Sequence, residues 1–295
     1  MEKNKMSKVK GYSKSQRRFN LFVHIVLSLL AILFVLPFIW MIVISFDGAA
    51  AINIPFPPTL YPKQPTLLNY AQAVDRLNVW KLYLNTFAVV VGVVVISVAT
   101  STLTGYALEK IRFKGHKGML LLCLATMMIP FEATMIPLFM MFKSFGMINS
   151  YMAFFLPAFS YPFGVFLTKQ QMQSIPESLR EAAIIDGASE FHIFLRIFVP
   201  LSTTTIATLV ILQFLNQWNN LLWPLVILNN PQKYTIQIGL ALFKNLLSVG
   251  DQGASASYPG ITMAGTVLSI LPVLVVYLYL QKYIVQSVAT AGMKQ

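Results

Sequence analysis

Charge is scarce in this chain. Its 295 residues include 10 Asp or Glu, 22 Lys or Arg and 3 His, so that 11% are charged against roughly 25% in ordinary soluble domains. Cysteine is rarer still. The single Cys123 lies in an apolar run, which excludes a disulfide framework and leaves no thiolate pattern for zinc. No Gly-x-x-x-x-Gly-Lys-Ser/Thr loop is present, so the chain has no ordinary means of cradling nucleotide phosphates. Neither a Gly-x-Ser-x-Gly elbow nor a His/Asp/Glu group at metal-ligand spacing occurs, which argues against an enzyme. The net charge of +12 would suit nucleic acid, but the basic residues are not gathered with aromatics on one face as a binding groove requires. No nucleic-acid partner is expected. The absence of any fixed-period repeat removes propellers and solenoids.

What the chain has instead is apolar length. Hydrophobic residues make up 56% of it, and six runs approach the roughly 20 residues that a helix needs to cross a bilayer. They are Leu21–Phe46, Leu84–Leu108, Met119–Phe142, Tyr151–Thr168, Leu201–Leu228 and Ile261–Leu280. The expected fold class is therefore all-α, a polytopic membrane protein with six transmembrane helices forming one domain over residues 21–295. The basic residues 1–20 resemble a signal-peptide n-region, and Ala49–Ala51 could pass for small residues near a cleavage site. The first apolar run, however, far exceeds a signal h-region of about 7–15 residues, so it is read as a retained span. With the N-terminus inside, the inner segments hold 16 Lys and Arg and the outer segments 6. The excess of basic residues in cytoplasmic loops places both termini in the cytoplasm. The first outer segment, Asp47 to Tyr83, carries Pro55, Pro57, Pro58, Pro62 and Pro65 and is expected to be an extended cap on the outer face.

Residues 169–200 form a polar stretch too long for a tight connection, and they read as two short helices. Pro176 suits a first helical position, and Glu177 and Glu181 lie near the positive N-terminal end. Gly187 is placed to end the helix in a left-handed turn, and Ser189 can cap the next one. In the second helix Phe191, Phe194, Leu195 and Phe198 recur at helical spacing as a stripe that must be buried, and Pro200 closes it. Ala182 and Ala183 let another surface approach the backbone, while Glu181 and Asp186 offer charges to a cationic partner. On this pattern a docking helix competes with an amphipathic helix resting on membrane lipid.

The string EAAIIDGASEFHIFLRIFVP resembles the EAA loop of binding-protein-dependent ABC importer permeases, where Glu-Ala-Ala, Gly and Ile-x-Leu-Pro recur at fixed spacing. Glu181, Ala182, Ala183, Gly187, Ile197 and Pro200 match; Val199 stands where Leu is usual. The segments LPFIWMIVISF, PTLLNY, NTF, GYALEKIRFKGHKG, MIPFEATMIPLF and WNNLLWPLVIL are similar to the carbohydrate branch, and to the smaller maltose-type permease subunit within it. The resemblance implies the type I ABC importer permease fold, with residues 169–200 as the loop on which an ATPase docks. It implies a second permease subunit forming a heterodimer, two copies of an ATPase that use ATP and Mg, an extracytoplasmic solute-binding protein and a sugar substrate. This chain itself would bind no cofactor. Glu181 would pair with a basic residue of the ATPase, Gly187 would allow the turn between the docking helices, and the tail ATAGMKQ would lie near the ATPase.

Substrate contacts are less defined. Gln213, Asn216, Gln217, Trp218, Asn219 and Asn220 form an amide cluster flanking an aromatic ring, which suits sugar hydroxyls; it suits helix–helix hydrogen bonding equally. Glu132 is the one acid deep in an apolar run. It is either an acceptor facing a cavity or a carboxyl linking helices near Pro130 and Pro137. His24 and Lys143, near span ends, are read as snorkelling. A permease for a non-sugar solute would share the docking loop. An ion-driven transporter would need relays of ionisable groups in several spans, where Glu132 is nearly alone.

Overall fold

Apolar runs in lipid must satisfy their own backbone, and every one of the six forms helix. A computed structural model describes residues 14–51, 56–249 and 258–292, and no strand occurs among them. The basic residues 1–13, Pro55 and the last three residues of the ATAGMKQ tail lie outside the described residues.

The first half of the chain forms α1 (Lys14–Ser45), α2 (Leu68–Leu77), α3 (Val79–Tyr106), α4 (His116–Met127), α5 (Phe131–Ser144), α6 (Met152–Ala158) and α7 (Pro162–Gln173). The second forms α8 (Ser178–Ile185), α9 (Glu190–Ile193), α10 (Val199–Leu201), α11 (Thr203–Trp218), α12 (Leu222–Ile227), α13 (Ile236–Val249) and α14 (Pro259–Gly292). A π-turn at Ala107–Ile111 extends α3, and a second, Phe194–Phe198, joins α9 to α10.

Proline redraws the expected spans. Three unbroken stretches, Gln16–Ser45, Val79–Ile111 and Pro259–Lys282, are long and apolar enough to cross a membrane. The third expected run is instead α4 and α5 meeting at 100°. Pro130 is extended there (φ −65°, ψ 139°) and bars helix in the residue before it, whereas Pro137 rides inside α5 without breaking it. The fourth run is split at Phe159–Tyr161 into α6 and α7 and is not a continuous span. The fifth begins after a 79° bend at Ser202 and ends at Trp218, well short of Leu228. Counting each bent pair as one crossing gives up to five spans among the described residues.

The central helix is α3, which packs on α6, α7, α11 and α13. Its approach to α7 is close because Ser97, Ser101 and Gly105 recur every four residues and are small. A Cβ on Gly105 would lie 2.7 Å from the Thr168 side chain and 2.9 Å from the Lys169 backbone nitrogen. On its other side Val90, Val94 and Val98 join Leu209 and Phe214 of α11 and Ile261 and Ala264 of α14 in the largest apolar core. By contrast α1 is exposed around its circumference from Arg17 to Phe38 apart from Val23, which is half-buried, and packs on α14.

Between α1 and α3 the segment expected to be extended is so only in part. Residues 58–66 run without helix, but a short turn occupies Gly48–Ala51, α2 occupies Leu68–Leu77 and α3 starts at Val79. The cap is tied by Asp47, whose carboxylate accepts N–H bonds from Ala49, Lys63 and Gln64, each at 3.0 Å. Burial alone would raise the Asp47 carboxyl, but these backbone donors outweigh it and hold it below its ordinary value.

Candidate functional site

The polar stretch 169–200 folds back against the end of α3. Pro176 precedes the first turn rather than opening it, since α8 begins at Ser178. Gly187 adopts φ +80°, the left-handed turn expected of it, and the Ser189 hydroxyl caps the next helix by accepting from the His192 N–H. The expected single stripe is divided between two faces. Phe194 and Phe198 are buried against Tyr106, Met172, Ile175 and Ile193, whereas Phe191 and Leu195 are exposed. The π-turn at Phe194–Phe198 interrupts the regular period, so the four side chains no longer share one buried face. Pro200 does not close the helix either; the chain bends two residues later, at Ser202.

Charged residues fix this segment to α3. Lys110, whose side chain is 4% exposed, donates to the Ile175 carbonyl at 2.8 Å and pairs with Glu177 at 3.1 Å. Arg180 pairs with Glu177 at 3.1 Å and with Glu190, and the Tyr106 hydroxyl donates to Glu190 at 2.8 Å. The Glu190 hydrogen bond strengthens the hold of Arg180 on its proton, against the opposing effect of burial. Glu109 joins Lys169 at 2.8 Å and Arg112 at 3.2 Å. None of these residues except Glu177 is singled out by sequence reasoning, where Lys110, Arg112, Lys169 and Arg180 register as inner positive charge and Tyr106, Glu109 and Glu190 only as members of segments similar to the family. The available signal was Tyr106 and Lys110, one helical turn apart on the same face.

The opposite face of the loop is left open. Glu181, Ala182, Asp186, Gly187 and Pro200 are exposed, together with Leu179, Ile184 and Ile185, the last 85% exposed. Ala183 and Ile197 are half-buried and pack on the cluster beneath. The outcome is a ridge of small, apolar and acidic residues seated on a rigid, ion-paired base.

The amide cluster lies at the other end of α11, about 24 Å away for its 16 residues. There a cavity of about 540 Å³ is lined by Gln213, Asn216, Gln217, Asn219, Asn220 and Glu132, with Ser160 and the rings of Phe131, Phe154 and Trp223. Glu132 therefore faces a cavity, carried there by the first turn of α5 directly after the 100° bend. Gln213 is only 7% exposed, and its side-chain amide has no hydrogen bond among the described residues. Trp218 is the exception. It is fully buried in the main core, stacked on Phe214 at 5.5 Å, with its indole N–H donating to the Ser269 carbonyl of α14 at 3.0 Å. The aromatic wall is supplied by Trp223 instead, fixed by its bond to the Ala153 carbonyl and edge-on to Phe131.

The family model described as "binding-protein-dependent transport system inner membrane component" matches residues 101–290, which include the loop and the cavity's amides. The chain is 36% identical to the arabinooligosaccharides transport system permease protein AraQ of Halalkalibacterium halodurans, over 79% of this chain and 81% of that one. It is 33% identical to the lactose transport system permease protein LacG of Rhizobium radiobacter, over 89% and 92%. With the trehalose/maltose transport system permease protein MalG of Thermococcus litoralis it shares 30% identity over 90% and 94%. Its fold superposes with a TM-score of 0.82 and 28% identity on a crystal structure of a bacterial ABC transporter involved in the import of the acidic polysaccharide alginate, covering 92% of this chain and 99% of that chain. The chain belongs to the inner-membrane components of binding-protein-dependent transport systems, and is a permease subunit of an ABC importer rather than an enzyme.

Proposed function

We propose that this permease moves a sugar or oligosaccharide into the cytoplasm by alternating access, driven by ATP hydrolysis on partner chains. The observation that carries the reading is the exposed ridge from Glu181 to Gly187, held on α3 by the Lys110–Glu177 pair and the Tyr106–Glu190 hydrogen bond. A surface that bears a load from a partner needs this combination of an open face and a stiff base. Glu181 and Asp186 supply charge for a basic groove of the ATPase, and Ala182 allows close approach. Closure of two ATPase copies, each using ATP and Mg, moves the ridge. These contacts then pass that displacement to α3, which packs on α6 beside the cavity. This chain binds neither nucleotide nor metal itself.

The same reading pairs the chain with a second, different permease subunit and an extracytoplasmic solute-binding protein, with both termini in the cytoplasm. The sugar class rests on the permeases it resembles, whose names specify arabinooligosaccharides, lactose and trehalose/maltose, and on the amide-lined cavity, whose groups hydrogen-bond hydroxyls without charge. Purification through a tag on this chain should bring down an ATPase and a second permease. Uptake of a labelled oligosaccharide by cells should stop on ATP depletion. Uptake that continued, or a chain that purified alone, would overturn the reading.

A further inference from the structure

The cavity holds one formal charge and nothing to balance it. Among its lining residues Glu132 is ionisable, while five amides and the Ser160 hydroxyl supply neutral donors and acceptors. No Lys, Arg or His lines it. The nearest cation on the same helix is Lys143, eleven positions along α5 and therefore about 16 Å away. Glu132 forms no ion pair or side-chain hydrogen bond among the described residues, and it is stabilised where it stands by the uncapped N-terminal end of α5. Gln213 lines the same space, and its amide is not among the buried side-chain groups left without a partner. A carboxylate among accessible amides, with no cation beside it, is a set of groups that can take a ligand.

From this arrangement we infer that Glu132 makes the cavity charge-selective: it admits neutral and amino-bearing saccharides and excludes those carrying uronic acids. The inference rests on the saccharide reading of the cavity and adds its electrostatic class. A carboxylate accepts hydrogen bonds from hydroxyls and attracts an ammonium group, whereas a sugar carboxylate brought close to it is repelled. The amides alone would not discriminate in this way, since they offer donors and acceptors to either. This sets the chain apart in chemistry from an importer of an acidic polysaccharide, whose fold it shares.

The test uses the assembled, detergent-purified transporter without its solute-binding protein, so that the binding protein's own preference does not enter. Saturation-transfer NMR titrations would compare a neutral disaccharide, its glucosamine-containing counterpart and its glucuronic-acid-containing counterpart, on wild type and Glu132→Gln. Wild type should bind the uronic sugar at least about tenfold more weakly than the neutral one. Glu132→Gln should bring the two within about twofold and lose any advantage of the amino sugar. Equal binding of neutral and uronic sugars by wild type would overturn the inference, as would a preference that survives in Glu132→Gln. The wild-type ratio stands on its own if the variant fails to assemble with its ATPase. If no saccharide binds either form, the saccharide reading of the cavity fails, and that outcome is distinguishable from binding without charge discrimination.

Discussion

At the scale of single residues, two positions carry consequences disproportionate to their size. Gly187 sits at φ +80° with nothing within 4 Å of the place a Cβ would occupy, so a side chain there meets backbone strain and no steric wall. A β-branched residue should cost about 1–2 kcal/mol at this turn, and Asn considerably less. The expected outcome is that Gly187→Val raises the ATP hydrolysed per sugar imported, whereas Gly187→Asn stays near wild type. Equal coupling in both would remove this turn from the transmission path. Asp47 is the second position. Because folding lowers its pKa, its contribution is present at neutral pH and is lost as pH falls through the folded value, below the ordinary 3.8. Asp47→Asn gives up charge-assisted bonds worth about 1–3 kcal/mol, and should make the segment between α1 and α2 open to protease at neutral pH, with wild type following only in stronger acid. Residue chemistry of this kind was partly legible in advance. The φ of Gly187 and the cap at Ser189 follow from local rules, but Trp223 takes the place expected of Trp218, because which of two nearby rings faces a cavity depends on where α11 stops.

Among elements, the decisive contacts are those that bind the docking loop to α3 and α3 to α7. Lys110 and Ile175 are 65 residues apart, and Tyr106 and Glu190 are 84 apart, so no spacing rule reveals the pairings; Tyr106 and Lys110 read alone as polar residues at a span end. Lys110→Met leaves the Ile175 carbonyl without its donor and should loosen the loop by about 1–3 kcal/mol. Hydrogen exchange over residues 175–198 should then rise while α11 and α14 stay protected. Protection unchanged there would mean that the apolar cluster alone holds the loop. At the α3–α7 contact Gly105→Leu forces the helices apart, since even a Cβ would sit within 3 Å of Thr168 and Lys169. The variant should fail to assemble with its partners, with Gly105→Ala showing a lower unfolding temperature. A kink set by Pro130 and Pro137 is expected in the third apolar run, but its size of 100° and the bend at Ser202 in the fifth escape sequence reasoning for a related reason. Hydrophobicity stays high on both sides of Pro130 and of Ser202, and an apolar average records composition without direction.

Across the whole molecule the all-helical architecture follows the expectation, and Glu132 and the amides line one cavity, while the number of continuous crossings among the described residues is lower than six. The cavity joins residues of α5 and α11 that are more than 80 positions apart in sequence, and the 100° bend is what brings them together. The topology is directly testable: reporters fused before α1 and after α14 should both be active only in the cytoplasm, as the distribution of basic residues requires. A reporter active outside at either end would overturn that orientation.

The first helix has a consequence of its own. From Leu21 to Ser45 it offers 25 largely apolar residues, a length of about 37 Å, against a hydrocarbon layer of about 30 Å. Nothing packs around most of its circumference, so neighbours do not hold it upright, and the mismatch is relieved by leaning. Its Ser45 end, however, is anchored by the bonds of Asp47 and by Asn69, which donates to the Ser45 and Asp47 carbonyls. The pivot is therefore at that end, and as membrane thickness changes it is the opposite end, with Arg17 and Arg18, that sweeps along the membrane surface.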